Sequence, residues 1–220
     1  MISKAVLFDF DGVVVKSMEQ HFKAWRQAFL EKGVEIKEKE FFVLEGQGIH
    51  TIAHHLGKIH GLSEQDIEEV MKRKVSYYNQ FMTLEFYDYF HEMVEHLYQQ
   101  KVPMGIVTGG NRSRVEKIVR QYFNHYFRVL VTVDDVVRGK PFPDPFLKAA
   151  QMLGQRPQDC VVIENAPMGI KGAKSANMTV VAITTTLEPQ FLKQADFIVH
   201  DFKQVEKILM NLLGLKKSQA

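Results

Sequence analysis

The stretch AVLFDFDG, residues 5–12, decides the fold and locates the chemistry. Its apolar residues predict a short buried strand, which delivers Asp9 and Asp11 to its carboxyl end. Carboxylates in such a place are costly unless something neutralises them. Mg²⁺ does so readily, and one of the two carboxylates could serve as a nucleophile. The same string is also typical of a tight turn, so the rest of the chain has to decide.

The composition predicts a globular protein: 220 residues, 45% hydrophobic and 25% charged. A net charge of +2 gives no basic field for nucleic acid or an anionic membrane. Cys160 is the single cysteine and opens an apolar run, which favours a buried thiol in a reducing compartment. No stretch reaches the roughly 18 apolar residues of a membrane span. We expect a cytoplasmic monomer or weak dimer whose partner is a small molecule, not nucleic acid or membrane.

From residue 103 onward, short apolar runs alternate with helix-length segments. The runs predict strands at 4–9, 103–108, 129–133, 160–164, 179–183 and 197–199. The segments between them predict helices at 113–122, 145–153, 169–175 and 188–194. Asp201 is a plausible N-cap for a last helix. This alternation predicts the α/β class, a doubly wound parallel sheet with helices on both faces.

Residues 17–85 break the alternation, because apolar residues there recur at helical spacing and no strand pattern is found. The three groups are Phe22, Trp25 and Phe29; Ile52, Leu56 and Ile59; and Ile67, Val70 and Met71. We therefore predict an α-helical cap at 17–85, inserted into a core formed by 1–16 and 86–220. Ligands of parallel sheets bind beyond the carboxyl ends of the strands, so an insertion directly after residue 12 is a candidate lid.

Three later stretches place further polar groups near predicted strand ends. They are Thr108 with Gly109, Gly110 and Asn111; Lys140 in the sequence GKPFP; and Glu164 with Asn165. A hydroxyl and closely spaced amides ahead of a helix can hold phosphate oxygens, and the prolines after Lys140 stiffen its backbone. Each match is weak alone.

In this order the motifs resemble the haloacid dehalogenase superfamily of phosphohydrolases. The insertion resembles the α-helical cap of its β-phosphoglucomutase-like and phosphoglycolate-phosphatase-like branch. The resemblance implies that Asp9 is the nucleophile and Asp11 the general acid and then base. It implies also that Thr108 and Lys140 bind the oxygens of the transferring phosphoryl group.

The resemblance further implies Mg²⁺, bound by an Asp9 oxygen, the Asp11 backbone carbonyl and Asn165. Relatives usually carry an acid at the position of Asn165, so one negative charge is missing here. Glu164 could supply it through water, or Glu45 could supply it when the lid closes. A solvated loop acid is the alternative for Glu45.

Two cap residues bear on the substrate. His21 and Lys74 are similar to the cap histidine and lysine of β-phosphoglucomutases, although His21 could also be an ordinary helix-surface residue. The cap arginine that grips a second phosphate in those enzymes has no match in GQGIH, residues 46–50. This counts against a mutase, because a bidentate guanidinium would be missing.

The leading prediction is a Mg²⁺-dependent phosphohydrolase that works through an aspartyl-phosphate. Its substrate would be a sugar phosphate, phosphoglycolate or pyrophosphate. A β-phosphoglucomutase-type isomerase and a phosphoacceptor signalling protein are the alternatives, and the helical insertion opposes the second.

Overall fold

Six short apolar strands form one parallel sheet in the order β3-β2-β1-β4-β5-β6 in the computed structural model, which describes residues 4–215. The strands are β1 (Ala5–Phe8), β2 (Met104–Val107), β3 (Val129–Val131), β4 (Cys160–Glu164), β5 (Thr179–Ile183) and β6 (Phe197–Val199). The outermost parts of the predicted core, 1–3 and 216–220, lie outside the described residues. The predicted parallel sheet is confirmed.

Nine α-helices accompany the sheet within residues 4–215. They are α1 (Met18–Leu30), α2 (Glu38–Phe42), α3 (Ile49–Ile59), α4 (Glu64–Phe81), α5 (Phe90–Gln99), α6 (Arg112–Tyr122), α7 (Asp144–Met152), α8 (Pro167–Ser175) and α9 (Phe202–Leu213). Asp201 caps α9 as predicted, because its carboxylate accepts a hydrogen bond from the Gln204 amide at 2.8 Å. No helix of this part of the chain is both long and apolar enough to cross a membrane.

The helices cover both faces of the sheet, as a doubly wound fold requires. Side chains of β1 alternate, so Val6 and Phe8 pack with α5, α6 and α9, whereas Ala5 and Leu7 pack with α7 and α8. Cys160 is buried in the second of these clusters. Because β1 is central, its carboxyl end lies between those of β2 and β4: Phe8 pairs with Ile106 on one side and Ile163 on the other.

Helices α1–α4 have a hydrophobic cluster of their own, built around Trp25, Phe29, Leu56 and Val70. The chain enters and leaves this helical region at adjacent points, since the Lys16 amide donates to the Glu85 carbonyl at 2.8 Å. The division of the chain at 17 and 85, and the function of the helices as a lid, stay predictions.

The structure corrects one predicted strand and one predicted helix. The strand predicted at 129–133 ends at Val131, because both the amide and the hydroxyl of Thr132 donate to Asp135 and turn the chain into a short 3₁₀ helix, Val133–Asp135. The helix predicted at 188–194 is wrong: only Pro189–Phe191 form a 3₁₀ turn. Leu192 is the only buried side chain there, so no apolar stripe exists to stabilise a helix.

Helix α5 was not predicted. Its buried side chains are Phe90, Met93, Val94 and Leu97, which follow the i, i+3, i+4, i+7 spacing of an amphipathic helix.

Candidate active site

The polar residues at the ends of β1, β2 and β4 meet at one edge of the sheet. Asp9 follows β1, and its amide donates to the Ile163 carbonyl of β4 at 2.9 Å. Thr108 follows β2, and its amide donates to the Val131 carbonyl of β3 at 2.9 Å. These bonds extend the sheet ladder by one residue, so the side chains of Asp9 and Thr108 are held at the floor of a cavity of about 650 Å³.

Lys140 is shared between two buried carboxylates. Its Nζ lies 2.6 Å from Asp9 Oδ1 and 2.6 Å from Glu164 Oε1, and all three side chains are nearly inaccessible to solvent. Burial raises the pKa of Asp9 to about 7; Lys140 opposes this shift and Glu164 adds to it. Burial alone would lower the pKa of Lys140, but the two carboxylates raise it, so the lysine stays charged. Lys140, which is predicted to bind the oxygens of the transferring phosphoryl group, thus lies beside Asp9.

Glu164 is held in place by more than Lys140. Its Oε2 accepts hydrogen bonds from the backbone amides of Asn165 at 2.8 Å and Ala166 at 3.0 Å. With both oxygens engaged, this side chain is held in one orientation behind Lys140.

Asp11 accepts four hydrogen bonds. Ser17 Oγ (2.6 Å), His21 Nε2 (3.2 Å) and Arg114 Nη1 (2.8 Å) all reach Oδ1, and Arg114 Nη2 reaches Oδ2 at 2.5 Å. Burial alone would raise the pKa of Asp11, but Arg114 and then His21 overcome it and hold that pKa well below its usual range. Asp11 is therefore a carboxylate in this arrangement.

His21 and Lys74 form a chain that ends on Asp11. Lys74 Nζ lies 2.9 Å from His21 Nδ1, and the His21 ring stacks on Tyr78 with centroids 4.1 Å apart. Burial lowers the pKa of His21 to about 3, with Lys74 adding to the effect, so the imidazole is neutral at physiological pH. An ammonium can only donate, so Nδ1 accepts from Lys74, and Nε2 carries the proton that is donated to Asp11. The prediction of His21 as a mere surface residue is excluded by its burial.

The predicted cap acid, Glu45, lines the same cavity as Asp9 and Asp11. It is buried, and burial raises its pKa to about 8, with Asp11 adding to the shift. The loop behind it lies directly on the core: a side chain at Gly109 would come within 2.5 Å of the Gly46 carbonyl oxygen. Gly46 itself has φ 85°, a conformation that favours glycine. Glu45 is therefore not a solvated loop acid.

Hydrogen bonds within the loop after β2 hold it in place beside the cavity. The Gly110 amide donates to Thr108 Oγ1 at 3.0 Å, and Asn111 Oδ1 caps α6 by accepting from the Arg114 amide at 3.2 Å. Gly109, Gly110 and Asn111 all line the cavity, as predicted for residues that contact the substrate.

Asn165 offers an oxygen suited to a cation. Its Nδ2 donates to Thr186 Oγ1 at 2.9 Å, which fixes the orientation of the amide. Its Oδ1 is buried and has no hydrogen-bond partner in the part of the chain that the structure describes. Such an acceptor is costly unless something binds it, and Mg²⁺ takes amide and carboxylate oxygens. Residues 4–215 contain no cluster of three His, Cys, Asp or Glu suited to a metal, so Asn165 and backbone oxygens are needed for such a site.

Sequence reasoning missed Ser17, Tyr78 and Arg114. Arg114 matters most, because the lack of an arginine at 46–50 counts against a mutase that binds a second phosphate. That segment has none, but α6 brings the Arg114 guanidinium into the cavity. Arg114 could have been found from its position, because it lies one turn after Gly110 in a helix that begins at the loop of residues 108–111, a loop of the kind that binds phosphate.

The site combines acidic groups with a buried lysine at the carboxyl edge of a parallel sheet. Helices that follow the first strand lie above it. This arrangement is typical of α/β enzymes that bind anionic ligands. A family model described as haloacid dehalogenase-like hydrolase matches residues 3–177, and the chain belongs to that family. The resemblance drawn from the motifs is confirmed.

Individual relatives agree with this assignment. The chain is 31% identical over 206 residues to validoxylamine A 7'-phosphate phosphatase of Streptomyces hygroscopicus subsp. limoneus, covering 92% of this chain and 95% of the relative. It is 30% identical over 216 residues to hexitol phosphatase A of Escherichia coli K12, covering 93% and 94%. Its fold is similar to that of a putative β-phosphoglucomutase from Bacteroides vulgatus, with a TM-score of 0.88, 26% identity, and 99% and 91% of the two chains covered.

Proposed function

We propose that this protein is a Mg²⁺-dependent phosphohydrolase that removes phosphate from a small phosphorylated metabolite through an aspartyl-phosphate on Asp9. The observation that carries the proposal is the contact of Asp9, which lines a large cavity, with the buried Lys140 behind it at 2.6 Å. Phosphoryl transfer depends mainly on positioning and charge neutralisation, and this pair supplies both a nucleophile and a fixed cation.

The reaction divides into two displacements. Asp11 is a carboxylate before substrate binds, so it first takes up a proton from solvent. A carboxylate oxygen of Asp9 attacks phosphorus, the bond from phosphorus to the leaving oxygen breaks, and Asp11 gives its proton to that oxygen. Asp11 then takes a proton from water, the water oxygen attacks the same phosphorus, and the acyl-phosphate bond breaks. Inorganic phosphate and free Asp9 result. Thr108 and Lys140 hold the phosphoryl oxygens throughout.

The residues present fit a magnesium ion. The Asp9 carboxylate, the Asp11 backbone carbonyl and Asn165 Oδ1 would hold it, and the unpartnered Asn165 oxygen supports this set. When bound, Mg²⁺ neutralises phosphoryl charge and the charge of the nearby carboxylates. Because both Glu164 oxygens already accept hydrogen bonds, Glu164 would not bind the ion directly. It would act on the ion only through an intervening water. Glu45, whose pKa burial raises to about 8, would add charge from the cap side only on ionising beside the bound ion.

The cavity favours a substrate larger than pyrophosphate. A volume of about 650 Å³ falls in the range of sites for metabolites and drug-sized molecules. Its walls include apolar side chains such as Trp25 and Ile52 as well as the cap residues His21, Glu45 and Lys74. Two of the relatives are named as phosphatases of a phosphorylated validoxylamine and of hexitols. We therefore place a sugar phosphate or a similar ester ahead of pyrophosphate, and phosphoglycolate stays a candidate. The cytoplasmic location and the monomeric or weakly dimeric state stay predictions.

The test is phosphate release from a panel of sugar phosphates, phosphoglycolate and pyrophosphate, with Mg²⁺ and with a chelator. Asp9→Asn is the inactive variant, and Asp88→Asn, which changes an exposed aspartate, is the matched control. The proposal requires metal-dependent release that survives in the control and is lost in Asp9→Asn. Equal release by the wild type and Asp9→Asn would refute it.

One observation favours a second candidate, an isomerase of the β-phosphoglucomutase type. Arg114 supplies the guanidinium that segment 46–50 lacks, and the fold is close to a protein named as such a mutase. The two functions separate in one assay. A mutase interconverts sugar monophosphates in the presence of a sugar bisphosphate without net phosphate release, whereas a phosphatase releases phosphate stoichiometrically.

A further inference from the structure

Arg114 holds the oxygen of Asp11 that the proposed reaction needs. Ser17 and His21 both donate to Oδ1, whereas Oδ2 is bonded only by Arg114 Nη2 among residues 4–215. The Oδ1 contacts keep Asp11 in place, so Oδ2 is the oxygen available to a leaving group. A leaving-group oxygen and Arg114 Nη2 cannot occupy the same position.

Withdrawal of Arg114 requires a new partner for its charge. The side chain is 17% exposed, and its guanidinium lies 5.6 Å from the Phe10 ring centroid and 5.5 Å from that of Tyr78. A guanidinium stays protonated at any physiological pH, and an unpaired charge in such surroundings is strongly disfavoured. The two aromatic rings can stay in contact with the guanidinium when it shifts. Only another anion can replace the Asp11 carboxylate as the partner of its charge.

The wall of the cavity around Arg114 carries basic and neutral side chains, which suits an anion. The residues of α4 and α6 that line the cavity include no carboxylate. They are Lys74, Val75, Tyr78, Asn79, Ser113, Arg114, Lys117, Ile118 and Gln121. Lys117 lies one turn after Arg114 and forms no ion pair within the described residues, whereas Arg112 and Arg120 of the same helix pair with Asp135 and Glu116.

We propose that Arg114 is a substrate-operated latch: a second anionic group on the leaving-group side of a phosphate monoester takes its guanidinium, together with Lys117, and so frees Asp11 Oδ2. The preferred substrates are therefore phosphate monoesters whose leaving group carries another phosphate or a carboxylate. Both match the fork of a guanidinium with paired oxygens. The inference rests on the proposed function, since it concerns the selectivity of the same site.

The test compares matched substrates: a hexose 6-phosphate with the hexose 1,6-bisphosphate, and glycerol 3-phosphate with 3-phosphoglycerate. We expect the wild type to show a kcat/KM about 100-fold higher for the member with the second anion, the size that two charge-assisted hydrogen bonds supply. In Arg114→Gln this preference should fall to within about threefold of unity. Lys117→Gln should reduce the preference about tenfold through KM.

Arg120→Gln is the matched control, because it removes an exposed arginine of the same helix. It should leave the preference unchanged. Arg114→Lys retains the charge without the fork and should restore only part of the preference, which separates recognition from a loss of folding. Equal kcat/KM for both members in the wild type, or an unchanged preference in Arg114→Gln, would overturn the proposal.

A binding measurement distinguishes this proposal from the proposed function. In Asp9→Asn, which removes the nucleophile, calorimetry should show tighter binding of the anionic member, and the added Arg114→Gln change should abolish that difference. If binding shows this preference but the wild type releases no phosphate, the phosphohydrolase proposal is refuted and the proposal for Arg114 stands. Phosphate release without any binding preference would do the reverse.

Discussion

Glu45 gives a sharp prediction about stability, because its charge is buried in the cavity. Burial raises its pKa from 4.5 to about 8. At about 1.4 kcal/mol per pH unit, this difference corresponds to roughly 5 kcal/mol between the two protonation states. A carboxyl whose pKa is raised by folding contributes stability that is fully present below pH 4.5 and is lost as the pH rises through about 8.

Glu45→Gln keeps the shape and hydrogen-bonding capacity of the protonated acid but cannot ionise. We therefore expect the variant to match the wild type near pH 5 and to gain about 2–5 kcal/mol over it by pH 9. Denaturant unfolding at several pH values, with a chelator present to exclude metal effects, measures this difference directly. Asp9 and Lys74 titrate in the same range and interact with Glu45, so the measured gain includes the change in their titration as well as the loss of the Glu45 carboxyl.

Glu68→Gln is the matched control, since Glu68 is an exposed glutamate of the helical region. Its unfolding free energy should follow that of the wild type at every pH. Parallel curves for Glu45→Gln and the wild type between pH 5 and 9 would refute the claim that a buried carboxyl occupies this position.

Three other substitutions test the remaining parts of the site. Lys140→Met should destabilise the fold by about 3–5 kcal/mol in denaturant unfolding, because it strands two buried carboxylates; an unchanged midpoint would contradict this. Asn165→Ala should raise the Mg²⁺ concentration for half-maximal turnover about tenfold or more, and calorimetry should show the matching loss of affinity. An unaltered metal affinity would remove Asn165 from the ligand set. His21→Asn should lower kcat about 10- to 100-fold by the same factor from pH 5 to 7, because the His21 pKa of about 3 keeps the ring neutral and Lys74, with a pKa of about 8, stays charged there; a factor that varies with pH in this range would be inconsistent with it.

The fold was predictable because its signals are local. A run of apolar residues ending in polar ones predicts a buried strand and its carboxyl end, so Asp9, Thr108 and Glu164 were assigned to the correct edge before their contacts were known. The wrong helix at 188–194 shows the limit of this reasoning. Its length suited a helix, but burial of a single side chain cannot hold one.

The site was predictable only where residues follow strands. Arg114 lies inside a helix with three other basic residues, and nothing in one sequence tells which of them turns toward the cavity and which pairs at the surface. The same holds for Glu45, whose burial results from the contact of its loop with Gly109 and not from its own neighbours in sequence. Side chains brought together across the helical region and the sheet depend on tertiary packing.

The proposed function requires that Asp9 becomes phosphorylated during turnover. The most direct measurement is rapid acid quenching of the enzyme with substrate and Mg²⁺, followed by proteolysis and mass spectrometry of the peptide that contains residues 5–12. We expect one added phosphoryl group on Asp9 in the wild type, and none in Asp9→Asn. Steady turnover with no phosphorylated peptide at any quench time, or phosphate on another residue, would contradict it.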